Sequence, residues 1–385
     1  QKIYNLKNIK QRNGENNVEM KNNEYLPGLD HIRAFAAIFI VIQHSFWSST
    51  LQPPTGIVMD YSTYDNIFSK GLNFFMSLVY VGNISVTLFM VLSGFIFYKL
   101  TYKKEIVYWS FIKNRILRIY PLYIFFIVVG LSMYPGVANI NNILFLVLPL
   151  SSLNYIDIHP YNSVTWAISV EFIFYFIFPF LMKSYKPKDF FRLILILILF
   201  RLFAFIIFGK ISQVSYGTIF GRLDQFLIGM LTAHIYITRE NKLTWKNKFL
   251  LVLSFFLMTF VLFRYLQLGG YAREVWWKSI WTDVEGLVCA MFIYFYLMTY
   301  NVKNKFLNTI GKYSFSIYLS HMIPKFKIKQ KHWYFKFTNE MISNEFLNVI
   351  LLILPTTIFL SYLTYSYIEE PFLKMRVKYI KDVEN

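Results

Sequence analysis

A cation and a titratable histidine share one face of the first apolar segment. Arg33 and His44 are 11 residues apart. On an α-helix they point about 20° apart and lie about 16 Å apart along the axis. This spacing suits a tunnel that holds an anionic ligand at its mouth and transfers a proton at its depth. The alternative is that Arg33 reaches the lipid headgroups and His44 is a hydrogen-bonded residue of the bundle.

Two arginines open the third apolar segment. Arg115 and Arg118 have the i, i+3 spacing that makes side chains neighbours on one helical face. Two guanidinium groups on one face can bind phosphates through paired hydrogen bonds. The alternative is the ordinary excess of positive charge at the cytoplasmic ends of membrane helices.

Glu171 is a carboxylate in an otherwise apolar helix. An ionisable group in lipid needs a cation or hydrogen-bond donors beside it. The candidates are Arg115, Arg118 and His44, and as the partner of His44 it would orient the imidazole ring. A structural ion pair that locks two helices together is the alternative.

Four further charged residues lie near the starts of two later apolar segments. Arg222 and Asp224 can pair with each other or with the site, whereas Asp283 and Glu285 fit a structural or tunnel-wall role. His321 fits a helix-end packing residue better than a direct role in the chemistry. His159 is a weak candidate for contact with an acceptor, and Ser93-Gly94 predicts close packing between helices.

The elements that carry these residues are membrane helices. Apolar types make up 56% of the 385 residues and charged types 16%, against roughly 45–50% and 25% in soluble domains. The excess comes in blocks of about 20 residues, the length of a membrane-spanning helix. This excludes a soluble enzyme, a secreted disulfide scaffold and a disordered protein. We predict ten spans, at about 31–51, 80–100, 116–135, 163–183, 190–209, 217–237, 248–268, 276–299, 306–324 and 345–369.

The loops indicate how these spans are oriented. With the N-terminus inside, 26 Lys and Arg fall on the inner side and 9 on the outer, which predicts both termini in the cytoplasm. The same bias explains the net charge of +18 without nucleic acid. Five lysines in 325–336 fall on the outer side and so depart from this charge bias. Either they bind an anion outside the membrane, or the bounds of the last two predicted spans are wrong.

The predicted organisation is an all-α, polytopic membrane bundle. It comprises a cytoplasmic tail over 1–26, one membrane domain over 27–373 and a second tail over 374–385, with no soluble domain. No zinc spacing, phosphate-binding Walker loop, dinucleotide fingerprint or Gly-x-Ser-x-Gly motif occurs. The lone Cys289 cannot form an intramolecular disulfide. No internal repeat is seen, which weakens a transporter interpretation.

Six motifs in order resemble the membrane-bound acyltransferase family 3, which modifies bacterial surface glycans. The resemblance covers about 26–373, and the motifs lie at 26–44, 91–95, 115–121, 166–175, 311–321 and 368–372. Two positions depart from the family pattern. His31 replaces the usual glycine, and Phe172 replaces a second acidic residue, which puts any two-carboxylate role in doubt.

The resemblance implies transfer of an acyl group, usually acetyl, from cytoplasmic acyl-CoA to a sugar hydroxyl of a surface polysaccharide or lipid-linked glycan. It implies His44 as general base, or as the carrier of a transient acyl group, with Glu171 beside it. The expected donor site consists of Arg33, Arg115, Arg118 and Tyr120, and the acceptor site of Trp166, Ser169 and His321.

Acetyl-CoA is then a co-substrate, and no metal and no nucleic acid are expected. The protein would lie among the lipids of the bacterial inner membrane. Two other function classes stay open on the residues alone: a transporter or flippase of a lipid-linked sugar, and a non-catalytic membrane scaffold.

Overall fold

The structure is a computed structural model. It describes residues 25–47, 83–133, 140–149, 164–239, 244–270, 273–331, 333–337 and 341–382, and the single positions 77, 79, 81 and 152. His159 and most of residues 52–79, which connect the first two predicted spans, lie outside the described residues.

Long helices dominate the described part of the chain. The first group is α1 Pro27–Trp47, α2 Asn83–Thr101, α3 Tyr108–Met133, α4 Ile140–Val147, α5 Thr165–Ser184, α6 Pro187–Phe208, α7 Ser212–Gly217 and α8 Ile219–Thr238. The second group is α9 Trp245–Gln267, α10 Lys278–Thr299, α11 Lys305–Lys312, α12 Ser314–Ser320 and α13 Met322–Gln330. The final helix runs as α14 Met341–Asn348, π1 Val349–Ile353, α15 Leu354–Thr364, π2 Tyr365–Glu369 and α16 Glu370–Leu373.

This architecture confirms an all-α polytopic membrane bundle. Seven of the described helices are long and apolar enough to cross a bilayer. α1 and α8 are also long enough, but they carry Asp30, Arg33, Arg222 and Asp224. The predicted ninth span is not one helix, because the chain is broken there into α11, α12 and α13.

α2 and α8 cross at two glycines. A methyl group added at Gly94 would lie 2.0 Å from the Phe226 carbonyl oxygen, and one at Gly229 would lie 2.0 Å from the Val91 carbonyl oxygen. Small residues let membrane helices approach closely enough for backbone-to-backbone contact. The predicted close packing at Ser93-Gly94 is thus confirmed.

Buried ion pairs join α6, α8 and α10. Arg201 binds Asp224 at 2.6 Å and Asp283 at 2.5 Å, while Arg222 lies 3.7 Å from Glu285. The expected option of an Arg222–Asp224 pair is therefore wrong. These two residues differ by about 200° around the helix and so face different neighbours.

A short antiparallel ribbon lies at one end of the bundle. β1 Lys104–Ile106 pairs with β2 Ile380–Asp382, and the Val107 amide donates to the Tyr379 carbonyl at 2.9 Å. Residues 374–382, hereafter the strap, are thereby fixed beneath α2 and α3. We call this end, where α1 begins and α2 ends, the basic end.

Candidate active site

A cavity of about 710 Å³ opens at the basic end and runs into the bundle. Its wall on α2 extends from Leu100 to Val86, a span of about 21 Å at 1.5 Å per residue. Tyr25, Arg376 and Tyr379 line the mouth, and Tyr318 lines the deep end. A long, narrow cavity of this kind suits a molecule with a charged head and a flexible arm.

Basic side chains crowd the mouth of this cavity: Arg33, Arg115, Arg118, Lys305, Lys312 and Arg376. Three of them have acidic partners. Arg33 lies 3.3 Å from Asp30, Arg118 binds Glu369, and Lys312 lies 3.8 Å from Glu370. The mouth keeps an excess of positive charge, so it is suited to a polyanion.

Arg115 is held in a box of aromatic rings. Its guanidinium carbon lies 4.8 to 5.8 Å from the ring centres of Phe97, Phe111, Tyr175 and Tyr379. Such contacts stabilise a cation without neutralising it. Its buried Nε has no hydrogen-bond partner among the described residues.

Glu171 lies on the wall farther in. The Ser93 hydroxyl donates to its Oε1 at 3.0 Å, and the Tyr175 hydroxyl donates to the same oxygen. Its hydrogen-bond partners are therefore two hydroxyls, and not the Arg115, Arg118 or His44 expected from the sequence. The second carboxylate oxygen is available to a donor group of a ligand in the cavity.

Two histidines from distant parts of the chain meet near the deep end. His44 Nδ1 lies 2.8 Å from His321 Nε2, and the rings are nearly parallel. His321 Nδ1 lies 2.7 Å from the Tyr318 carbonyl oxygen, which can only accept, so Nδ1 carries a proton. With both rings neutral, His321 Nε2 accepts from His44 Nδ1. His44 Nε2 then keeps the lone pair that a general base needs.

Neither histidine lies on the cavity wall. Tyr318, which lines the cavity, is a neighbour of His321: their ring centres lie 6.0 Å apart. The Tyr318 hydroxyl donates to the Val164 carbonyl at 2.7 Å. The cavity therefore runs from Arg115 to Tyr318, and it does not reach His44 as the expected tunnel would.

Tyr120 does not line the cavity, although the sequence placed it in the donor site. Its ring packs on Phe172 with ring centres 5.3 Å apart. Arg118 and Tyr120 point about 200° apart on α3, so only the arginine faces the cavity.

The expected acceptor residues also lie off the cavity wall. Ser169 is fully buried, and its hydroxyl donates to the Pro149 carbonyl at 2.5 Å and accepts from the Ser152 amide at 3.0 Å. This assigns it to the structure of a turn and not to substrate contact. Trp166 packs against Tyr216 at 4.9 Å, with the Arg222 guanidinium 5.6 Å from the Trp166 ring. His321 uses both ring nitrogens for protein partners, which leaves none for an acceptor.

The sequence did not point to five residues at the mouth: Tyr25, Lys305, Lys312, Arg376 and Tyr379. Arg376 and Tyr379 reach the cavity only because the strap folds back on α3. Their spacing from the known motifs gives no signal of this placement. Within the described ranges, no three His, Cys, Asp or Glu side chains group as a metal site.

The chain is similar in sequence to known proteins. The model of the Acyl_transf_3 family, described as an acyltransferase domain, matches residues 26–366. The chain is 26% identical over 251 residues to the proteins named O-acetyltransferase OatA of Staphylococcus aureus strains NCTC 8325 / PS 47, COL and MRSA252. The match covers 57% of this chain and 36% of each relative, so it spans about a third of their length. No solved structure matches the chain.

Proposed function

The chain belongs to the Acyl_transf_3 family and is a membrane acyltransferase; from this premise we propose that it moves an acetyl group from cytoplasmic acetyl-CoA to a sugar hydroxyl of a bacterial surface glycan or lipid-linked glycan. Family membership replaces the transporter and scaffold alternatives. The single observation that carries the proposal is the cavity with a basic mouth that leads to Tyr318 beside the His44–His321 pair.

The donor occupies the cavity from the basic end. Its phosphates lie among Arg33, Arg115 and Arg118, where guanidinium groups form charge-assisted hydrogen bonds. Its amide-bearing arm passes Glu171, whose free carboxylate oxygen accepts from an amide N–H. The thioester then lies against Tyr318 at the deep end.

The reaction is a proton-coupled acyl transfer. His44 Nε2 removes the proton of the acceptor hydroxyl as that oxygen attacks the thioester carbon. The C–O bond forms, the C–S bond breaks, and the imidazolium returns the proton to the departing thiolate. His44 does not line the cavity, so a side chain at the cavity's deep end must move while the donor is bound. We assign this movement to Tyr318, which lies beside His321 and now donates to the Val164 carbonyl.

His321 is a positioning residue in this scheme. Its neutral Nε2 accepts from His44 Nδ1, which fixes the base in the tautomer whose Nε2 is unprotonated. The acceptor enters from the end opposite the basic end, where the Trp166 and Tyr216 rings lie 4.9 Å apart and are tilted by 41°. We place the basic end in the cytoplasm of a bacterial inner membrane, since acyl-CoA is found there.

A histidine exchange tests the proposal. We expect His44→Ala to lower acetylation by about 10²- to 10⁴-fold, the range for loss of a general base, with normal amounts of folded protein. The measurement is mass spectrometry of surface glycans from cells that carry each variant. His234→Gln is the matched control. His234 on α8 is hydrogen-bonded to Tyr98 on α2 and does not line the cavity. Normal acetylation by His44→Ala would reject His44 as the base.

A further inference from the structure

Three guanidinium groups, those of Arg115, Arg118 and Arg376, line the mouth, and of the three only Arg118 is paired with a described carboxylate. Arg118 binds Glu369 Oε1, and the Ser316 hydroxyl donates to Glu369 Oε2 at 2.8 Å. Both oxygens of that carboxylate are therefore in use. Among the described residues, Arg115 and Arg376 have no carboxylate within ion-pair distance.

These like charges are held together at a cost. Partial desolvation, and then the neighbouring charges of Arg115 and Arg118, lower the pKa of the Arg376 guanidinium to about 10. The group stays protonated at neutral pH, because its pKa still lies well above 7. An anion at this point would relieve the repulsion between the three guanidinium groups.

The strap fixes where Arg376 stands. The side-chain amide of Asn114 donates to the Val377 carbonyl at 2.7 Å, and the backbone N–H of Val377 donates to Asn114 Oδ1 at 2.9 Å. The ring centre of Tyr379 lies 5.4 Å from that of Phe111. Val377 follows Arg376 and Asn114 precedes Arg115. The same pair of hydrogen bonds therefore positions both cations.

The order of groups along the donor matches the order of cations. From its acyl end, CoA carries the pantetheine arm, then a diphosphate, then a ribose with a 3′-phosphate. Arg115 and Arg118 are partly buried on α3, whereas Arg376 is exposed on the strap. Of these three guanidinium groups, the most exposed therefore meets the outermost phosphate.

We propose that Arg376, presented by the strap, binds the 3′-phosphate of the donor and so selects 3′-phosphorylated nucleotide thioesters over those that lack this group. The inference rests on the proposed function, since it takes the cavity as the CoA site.

Binding of two probes to the purified protein tests it, with no need for an acceptor. The probes are CoA and 3′-dephospho-CoA, measured by calorimetry on wild type, Arg376→Ala and Lys378→Ala. Lys378 is an exposed residue of the same strap that does not line the cavity. Thermal unfolding of each variant checks folding, and Arg376→Ala should unfold no earlier than wild type because it removes a repelled charge.

We expect wild type and Lys378→Ala to bind CoA roughly 10- to 100-fold more tightly than 3′-dephospho-CoA, as one charged hydrogen-bonded contact allows. Arg376→Ala should bind both probes as weakly as wild type binds 3′-dephospho-CoA. Equal weakening of both probes, or no weakening, would overturn the assignment while leaving the donor site intact. If wild type bound neither probe, the CoA donor site itself would be rejected.

Discussion

At the scale of single residues, a hydrogen bond to the Tyr318 carbonyl orients the His321 ring, and the His321 ring in turn orients that of His44. Replacement by Ala removes the acceptor at 2.8 Å and frees the His44 ring to change tautomer. We expect the kcat of His321→Ala to fall by up to about 10²-fold, a part of what the general base contributes. KM for donor and for acceptor should not change. Steady-state kinetics on purified protein measures both parameters.

A conservative variant separates positioning from substrate contact. The side-chain amide oxygen of His321→Gln can accept from His44 Nδ1, so this variant should recover a large part of kcat. A rise in acceptor KM with unchanged kcat would instead support the substrate-binding role that the sequence suggested for His321.

At the scale of elements, the α2–α8 crossing depends on two glycines. A methyl group at Gly94 would meet backbone atoms of α8, which cannot rotate away as a side chain can. We expect Gly94→Ala to cost about 1–3 kcal/mol or more, the range for overpacking. The measurement is a lower thermal unfolding midpoint in detergent.

Gly286 provides the matched comparison on α10. An added methyl group there would lie 2.9 Å from Ile228 Cδ1, the far end of a flexible side chain. Gly286→Ala should therefore unfold closer to wild type than Gly94→Ala. Equal midpoints for all three proteins would show that this crossing can separate at little cost.

The final helix positions a carboxylate, that of Glu369, against an arginine of the cavity mouth. Its π2 segment places Glu369 where it binds Arg118 and accepts from Ser316. Extra residues in a helical turn change the direction of the side chains that follow, and such turns are frequent at functional sites.

At the scale of the whole molecule, the chain crosses the membrane with its basic end on one side. The lone Cys289 is fully buried, so it does not react with a reagent that is excluded from the bundle. A cysteine introduced at the exposed Lys378 reports the strap alone. We expect a membrane-impermeant maleimide to label Lys378→Cys in inside-out vesicles and not in right-side-out vesicles.

The wild-type chain is the control, and it should stay unlabelled in both preparations. Labelling of the cysteine in right-side-out vesicles would place the basic end outside the cell. That result would remove cytoplasmic acyl-CoA as the donor, whatever the cavity binds.

Features within one element could be predicted from the sequence. Apolar blocks of about 20 residues determined the long helices, because the bilayer leaves only internally hydrogen-bonded backbone to cross it. Helical periodicity determined that Arg115 and Arg118 share a face, and both line the cavity. The same periodicity turns Tyr120 about 200° from Arg118 and so away from the cavity.

Contacts between elements were decided by the tertiary structure. His44 meets His321 across 277 positions and Asn114 meets Val377 across 263. Glu171 receives hydroxyls in place of the expected cations. Periodicity specifies where a side chain points from its own helix axis, but partners depend on crossing angles and helix separations set by packing. For that reason the sequence determined the helices and the shared arginine face, whereas only the folded bundle decided which residues face one another.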